Sequence, residues 1–235
     1  MATIFSTAIV TGGGRGIGRA ICHRLAADGA RVVAVARSRD ELDETKRLVE
    51  RHGGTCLTVR ADVSQVDEMN AAVDETVRQF GAVDILVNNA GTAPRADVDA
   101  FGIDTFDAMI GVNVSAPFYA VRAVWPIMKQ RRQGIIINIS SVAAVDPFPG
   151  FAVYGATKAY IEGLTRGLAK EGRPLGIRVY GVGPGAVDTV MLRGPFPDFP
   201  DDQCLQPDDI AEVVHLMTQP VCRHAVGQTI YVTRS

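Results

Sequence analysis

The sequence predicts an α/β protein built on a doubly wound parallel sheet with helices on both faces, and three observations carry that prediction. Short β-branched runs alternate with longer helical patterns along the whole chain. Several of the runs are apolar almost end to end, as strands covered on both faces must be. The first run leads directly into a glycine cluster that opens a helix, the usual layout of an anion-holding turn.

The strands are expected at "TAIVT" (7–11), "RVVAVA" (31–36), "TCLTVR" (55–60), "DILVNN" (84–89), "IIINIS" (135–140), "IRVYGV" (177–182) and "TIYVT" (229–233). Helical spacing occupies 16–28, 39–51, 65–80, 104–131, 154–171 and 208–218. Alternation of this kind implies right-handed crossovers and about seven strands in one sheet. One stretch breaks the rhythm: "GPFPDFPDDQCLQP" (194–207) is rich in Pro and Asp, and the segment 190–207 is expected to be a loop lying over the site as a lid. With no repeat and no linker, the chain 1–235 reads as a single domain.

A net charge of −2, with 21% charged and 47% apolar residues, is ordinary for a globular protein and offers no basic face for nucleic acid. The one basic cluster, "KQRRQ" (129–133), suits a helix C-terminus, with a docking patch for an acidic carrier as the alternative. Cys22, Cys56, Cys204 and Cys222 are widely spaced, and His23, His52, His215 and His224 show no ligand spacing, so neither a disulfide framework nor a metal is expected. No run approaches a membrane span, and "MATIFSTAIVTGGG" lacks the features of a leader; a cytoplasmic setting is expected.

The glycine cluster is "TGGGRGIG", Thr11 to Gly18. Its spacing differs from GxGxxG, and no Gly-Lys-Ser/Thr follows, so it is not a P-loop. Thr11, Gly12, Gly16 and Gly18 resemble the cofactor turn of the classical short-chain dehydrogenase/reductase family. Other motifs fall in that family's order: Asp62 and Val63 after the third strand, "NNAG" (88–91) after the fourth, and "GPGAVDT" (183–189) after the sixth. The resemblance implies a Rossmann-type sheet and a nicotinamide cofactor. Carried over residue by residue, it implies cofactor contacts from Gly12, Arg15, Gly16, Ile17, Gly18, Arg37, Asp62, Val63, Asn89, Ala90, Gly91, Pro184, Gly185, Val187 and Thr189, together with Tyr154 and Lys158.

"YGATK" (154–158) puts a phenol and an ammonium on one helix face. A phenol ordinarily titrates near about 10, and a cation within about 4–6 Å is expected to make it more acidic. In the family this pair handles the proton. Ser141 is similar to its substrate-orienting serine, and Asn113, within "GVNVSAPFYA", is similar to its relay asparagine. Only one of Ser140 and Ser141 is expected to face the cleft, since strand neighbours point to opposite sides.

The reaction implied is reversible hydride transfer between a nicotinamide and a ketone/aldehyde or alcohol carbon. Ala36 stands where an acidic residue would bind a ribose hydroxyl, and Arg37 follows; with Arg15 this favours NADP(H) over NAD(H). Phe148, Phe151, Phe196 and Phe199 are expected as apolar walls, with no obvious basic residue in the lining calling for an anionic group at the reacting end. The style is similar to 3-oxoacyl-carrier-protein reductases and small carbonyl reductases, so a small-molecule carbonyl substrate, free or carrier-linked, is implied. Three departures stand out: the ending "GQTIYVTRS", the helix opening "LQPDDIAEVV", which resembles a branch of general ketone and aldehyde reductases, and Tyr180 where an Asn is usual. The resemblance also implies a homodimer or homotetramer built on the two long helices. A cofactor-binding sensor without catalysis, or an NAD(H)-dependent alcohol dehydrogenase, remains as an alternative.

Overall fold

The computed structural model describes residues 7–234. The reading of the N-terminal segment rests in part on residues 1–6, which, like Ser235, lie outside the described residues. Seven parallel strands form one sheet in the order β3-β2-β1-β4-β5-β6-β7. They are β1 (Thr7–Thr11), β2 (Arg31–Ala36), β3 (Thr55–Arg60), β4 (Ile85–Asn88), β5 (Gly134–Ile139), β6 (Ile177–Pro184) and β7 (Thr229–Val232). The connecting helices are α1 (Gly16–Ala27), α2 (Arg39–Arg51), α3 (Val66–Phe80), α4 (Ile103–Ile110), α5 (Ala116–Arg131), α6 (Ala152–Gly172), α7 (Val190–Arg193) and α8 (Pro207–Thr218).

Period-2 alternation in the strands divides the core into two layers. Ala8, Val10, Val32, Ala34, Ile135 and Ile137 point to one side, where Ile21 and Leu25 of α1 and Ile210 and Val214 of α8 cover them. Ile9, Val33, Val35, Leu86 and Ile136 point to the other, beneath Met69 of α3 and Ala120, Val124 and Met128 of α5. Each fully buried aliphatic side chain stabilises this arrangement by about 1.5–3 kcal/mol relative to exposure. Truncating Ile136, fully buried in the central strand, to Ala would cost about 2–5 kcal/mol.

The strand order reverses between β1 and β4, and in open parallel sheets a ligand crevice forms outside the strand C-termini at that point. Buried polar pairs brace the region. Asn88 donates to Asn138 at 2.8 Å, and Asn138 donates to Thr165 at 2.9 Å, linking β4, β5 and α6.

Two expectations are corrected here. The helix expected over 104–131 is two helices joined by a π-helical turn, Gly111–Ser115, in which the Ala116 amide bonds Gly111 five residues back. Pro117 explains the slip: it has no amide hydrogen to give the carbonyl four residues earlier, that of Asn113. The 190–207 segment is also more ordered than a loop, containing α7 and a 3₁₀ turn at Asp201–Gln203. A single parallel bridge, Val187 to Leu205, closes its base.

The basic cluster behaves as a helix end. Arg131 pairs with Asp84 at 2.9 Å, and Arg132 takes the left-handed conformation that caps α5. Tyr180 is a different brace from an asparagine: fully buried, it donates its hydroxyl to the Cys222 carbonyl at 2.9 Å. All four cysteines are free, and no helix among the described residues is long and apolar enough to cross a membrane.

Candidate active site

A cleft of about 2180 Å³ opens over the C-terminal ends of β1, β4, β5 and β6. The glycine turn forms its floor. Gly12 is left-handed, and a side chain there would come within 2.8 Å of the Asn89 amide nitrogen. At Gly18 a Cβ would stand 2.1 Å from the Gly12 carbonyl oxygen, so the turn closes tightly only with glycine at both places. Thr11 ties this turn to β4: its hydroxyl accepts the amides of Asn89 and Ala90 at 3.0 and 3.1 Å. The start of α1 has neither a side-chain cap nor an acidic residue in its first turn. Its free amides and partial positive charge therefore face the cleft unneutralised, which fits a pyrophosphate.

Every residue expected at the cofactor lines this cleft: Gly12, Arg15, Gly16, Ile17 and Gly18 from the turn, Arg37 after β2, Asp62 and Val63 after β3, Asn89, Ala90 and Gly91 after β4, Pro184 at the end of β6, and Gly185, Val187 and Thr189 after it. Thr189 approaches Gly16 so closely that a Cβ there would lie 3.3 Å from its methyl group. Partial burial pushes the Asp62 carboxyl up, but the Ser64 hydroxyl and amide, with Arg37 nearby, outweigh it and hold the group below its ordinary value. Arg15 is not free: its guanidinium pairs with Glu41 at 3.2 Å.

Ser141, Tyr154 and Lys158 also line the cleft. Ser141 stands two residues beyond β5 and caps the short turn at Val142–Ala144; its oxygen accepts the Ala143 amide at 3.2 Å and lies 3.5 Å from the Pro184 carbonyl oxygen. Its neighbour Ser140 also borders the cleft, but its hydroxyl turns inward, 3.1 Å from Glu162 and 3.3 Å from the Lys158 carbonyl. Lys158 is 5% exposed and donates to the Ile139 carbonyl at 2.9 Å. Burial lowers its pKa from the ordinary 10.5 to about 8.

The share of the phenol's acidification expected from the lysine alone is corrected. The Lys158 ammonium lies 5.7 Å from the centre of the Tyr154 ring, beside its face. Burial dominates and raises the phenol above its ordinary value, with the Ser141 hydroxyl pulling the other way. Desolvation acts on the phenolate itself, whereas a cation beside the ring is poorly placed to offset it.

Asn113 does not line the cleft; it is 1% exposed behind it. Its amide accepts from the Thr92 amide at 2.9 Å and donates to the Thr92 carbonyl at 2.8 Å and to Thr157 at 3.1 Å. The carbonyl oxygen of its side chain and the Lys158 ammonium stand 3.5 and 3.6 Å from the point where a Gly91 Cβ would be. The π-turn thus sets Asn113 against Thr92 and Thr157, with Gly91 between its side chain and the lysine.

Phe148, Phe151, Phe196 and Phe199 all line the cleft. Sequence reasoning missed Arg95, Arg193 and Arg234, which line it as well. Arg95 follows "NNAG" by four residues in an irregular segment, where no periodicity indicates which way a side chain points.

A short chain dehydrogenase family model matches residues 6–198. An uncharacterised oxidoreductase of Staphylococcus epidermidis is 37% identical over 217 residues, covering 91% of each chain. Among solved structures, a 3-ketoacyl-(acyl-carrier-protein) reductase from Brucella melitensis, complexed with NADH, is similar with a TM-score of 0.91 at 33% identity, over 97% of this chain and 96% of that one. Levodione reductase is similar with a TM-score of 0.92 at 28% identity and the same coverage. The glycine turn at the sheet's reversal, the ordered motifs after each strand and these likenesses have one explanation: the chain belongs to the short-chain dehydrogenase/reductase family of NAD(P)-dependent oxidoreductases.

Proposed function

We propose that the protein is an NADP(H)-dependent reductase of ketones or aldehydes, of the 3-oxoacyl or general carbonyl type, in which Tyr154 is the acid/base. The observation that carries this reading is the convergence of Ser141, Tyr154 and Lys158 on the same cleft as the glycine turn. A bound nicotinamide supplies the hydride. The Ser141 hydroxyl orients the substrate oxygen, and the Tyr154 hydroxyl donates a proton to it during reduction or removes one during oxidation. Lys158, held by Ile139, fixes its ammonium beside the phenol ring at the inner end of the group. Asn113 positions the inner end of this group through Thr92 and Thr157.

The NADP(H) preference is supported by Ala36 at the end of β2, where no carboxylate opposes a 2′-phosphate, and by Arg37 beside it. A second reading, NAD(H), is favoured by the Arg15–Glu41 pair, which engages one of the two cations and leaves an acidic group at that end of the cleft. The aromatic lining supports an apolar substrate body. A homodimer or homotetramer is supported by apolar side chains left exposed near the long helices, Phe118 at 47% and Tyr160 at 37%.

The test is oxidation of NADPH and of NADH with a panel of β-keto esters, quinones and aldehydes. Turnover with kcat/KM higher for NADPH is the expected result. Tight cofactor binding without turnover of any carbonyl would indicate a sensor instead, and a higher kcat/KM with NADH would assign the second reading.

A further inference from the structure

A series of aromatic rings runs outward from the candidate catalytic phenol. The Tyr154 and Phe151 centroids are 5.8 Å apart, and Phe151 stacks on Phe196 at 5.9 Å and 29°. Beyond Phe196 stands Arg95, its guanidinium carbon 5.1 Å from the ring centre.

Arg95 is exposed, but its course is constrained. Its stem crosses Gly150, a left-handed residue where any Cβ would come 2.9 Å from the Arg95 Cγ. The adjoining Ala96 amide donates to the Gly150 carbonyl at 3.2 Å, holding the two loops together. The guanidinium is therefore set over Phe196 by packing on both sides, which lowers the entropy a partner must overcome. Arg193, which lines the same cleft, is already bonded to Asp188, Asp201 and the Phe199 carbonyl. Among the described residues no carboxylate lies within 4.0 Å of Arg95, which keeps its charge for a ligand.

We propose that Arg95 is a specificity-determining residue that binds a carboxylate on the far end of the substrate, so that the substrate class is an oxo-carboxylic acid. The carbonyl sits at Ser141 and Tyr154, an apolar chain lies along Phe151 and Phe196, and the planar anion meets the guanidinium fork. This rests on the reductase reading above and adds the end of the molecule that reading leaves open.

The test uses methyl-ketone acids of graded length (3-oxobutanoate, 5-oxohexanoate, 7-oxooctanoate) against their methyl esters, with the wild type, Arg95→Gln and Arg95→Lys. The wild type is expected to prefer the acid over the ester at least about tenfold in kcat/KM at one chain length. Arg95→Gln lowers kcat/KM for that acid at least about tenfold, chiefly through KM, with the ester within about threefold; Arg95→Lys recovers part of the loss. An equal loss on acid and ester overturns the proposal in favour of a packing role, as does a wild type without preference at any length. Should no member of the series be reduced, the reductase reading stands or falls on the carbonyl panel above, and calorimetric titration of the same acids decides on Arg95. Weaker binding to Arg95→Gln than to the wild type supports it, and equal binding overturns it.

Discussion

The Lys158 ammonium lies beside the Tyr154 ring, 5.7 Å from its centre, and gives a hydrogen bond to the Ile139 carbonyl. Spacing on a helix brings two side chains to the same face, but it does not decide which atoms of the pair meet. Here the cation is tethered to the end of β5, so its orientation is set by the sheet and not by the phenol.

Tyr154→Phe removes the hydroxyl and leaves the ring packed on Phe151. Its kcat is expected to fall at least about a hundredfold, the scale of a general acid–base contribution, with cofactor affinity retained. Steady-state kinetics with fluorescence titration of NADPH measures both, and an unchanged kcat would remove Tyr154 from the role assigned to it.

Lys158→Met is expected to trade activity for stability. The folded-state pKa of about 8 lies below the ordinary 10.5, so burying the ammonium costs stability, in full below pH 8. As pH rises from 8 towards 10.5 the native lysine has already lost its proton, and the cost fades. The variant should therefore gain up to about 3 kcal/mol over the wild type at pH 7, with the gain shrinking above pH 8 and activity lost. Denaturant unfolding at pH 7 and pH 10 reads the difference; a variant less stable than the wild type at pH 7 contradicts it.

Gly18→Ala places a methyl group 2.1 Å from the Gly12 carbonyl oxygen and 2.6 Å from the Asn89 amide nitrogen. Backbone must move, at a cost of about 1–3 kcal/mol, and the cofactor turn opens with it. A lowered Tm together with at least about tenfold weaker NADPH binding is expected. If the variant matches the wild type in both, the turn does not hold the pyrophosphate.

Arg37 and Glu41 should move cofactor choice in opposite directions. Arg37→Ser is expected to weaken NADPH about ten- to hundredfold with NADH changed less than about threefold, since only the former carries the extra phosphate. Glu41→Gln frees Arg15 from its 3.2 Å pair and should tighten NADPH severalfold. Equilibrium titration of both cofactors into both variants checks this; a parallel change in the two affinities would argue against a 2′-phosphate contact.

Much of the molecule was legible in the chain. The strand positions at Ile9, Val33 and Ile136 follow from short, continuous β-branched runs, and the glycine turn from the residues that can adopt its backbone. Pro117 even carried the cause of the π-helical turn, although helical periodicity alone runs straight across it.

The sequence by itself determined the order of strands and helices, the glycine turn, and which residues stand after each strand, because these depend on neighbours a few positions apart. The tertiary structure alone decided that burial raises the Tyr154 phenol and lowers the Lys158 ammonium, that Glu41 holds Arg15, and that Arg95 crosses Gly150 to reach Phe196. Desolvation and charge pairing depend on what the fold packs against a group from distant parts of the chain, and no local pattern records that.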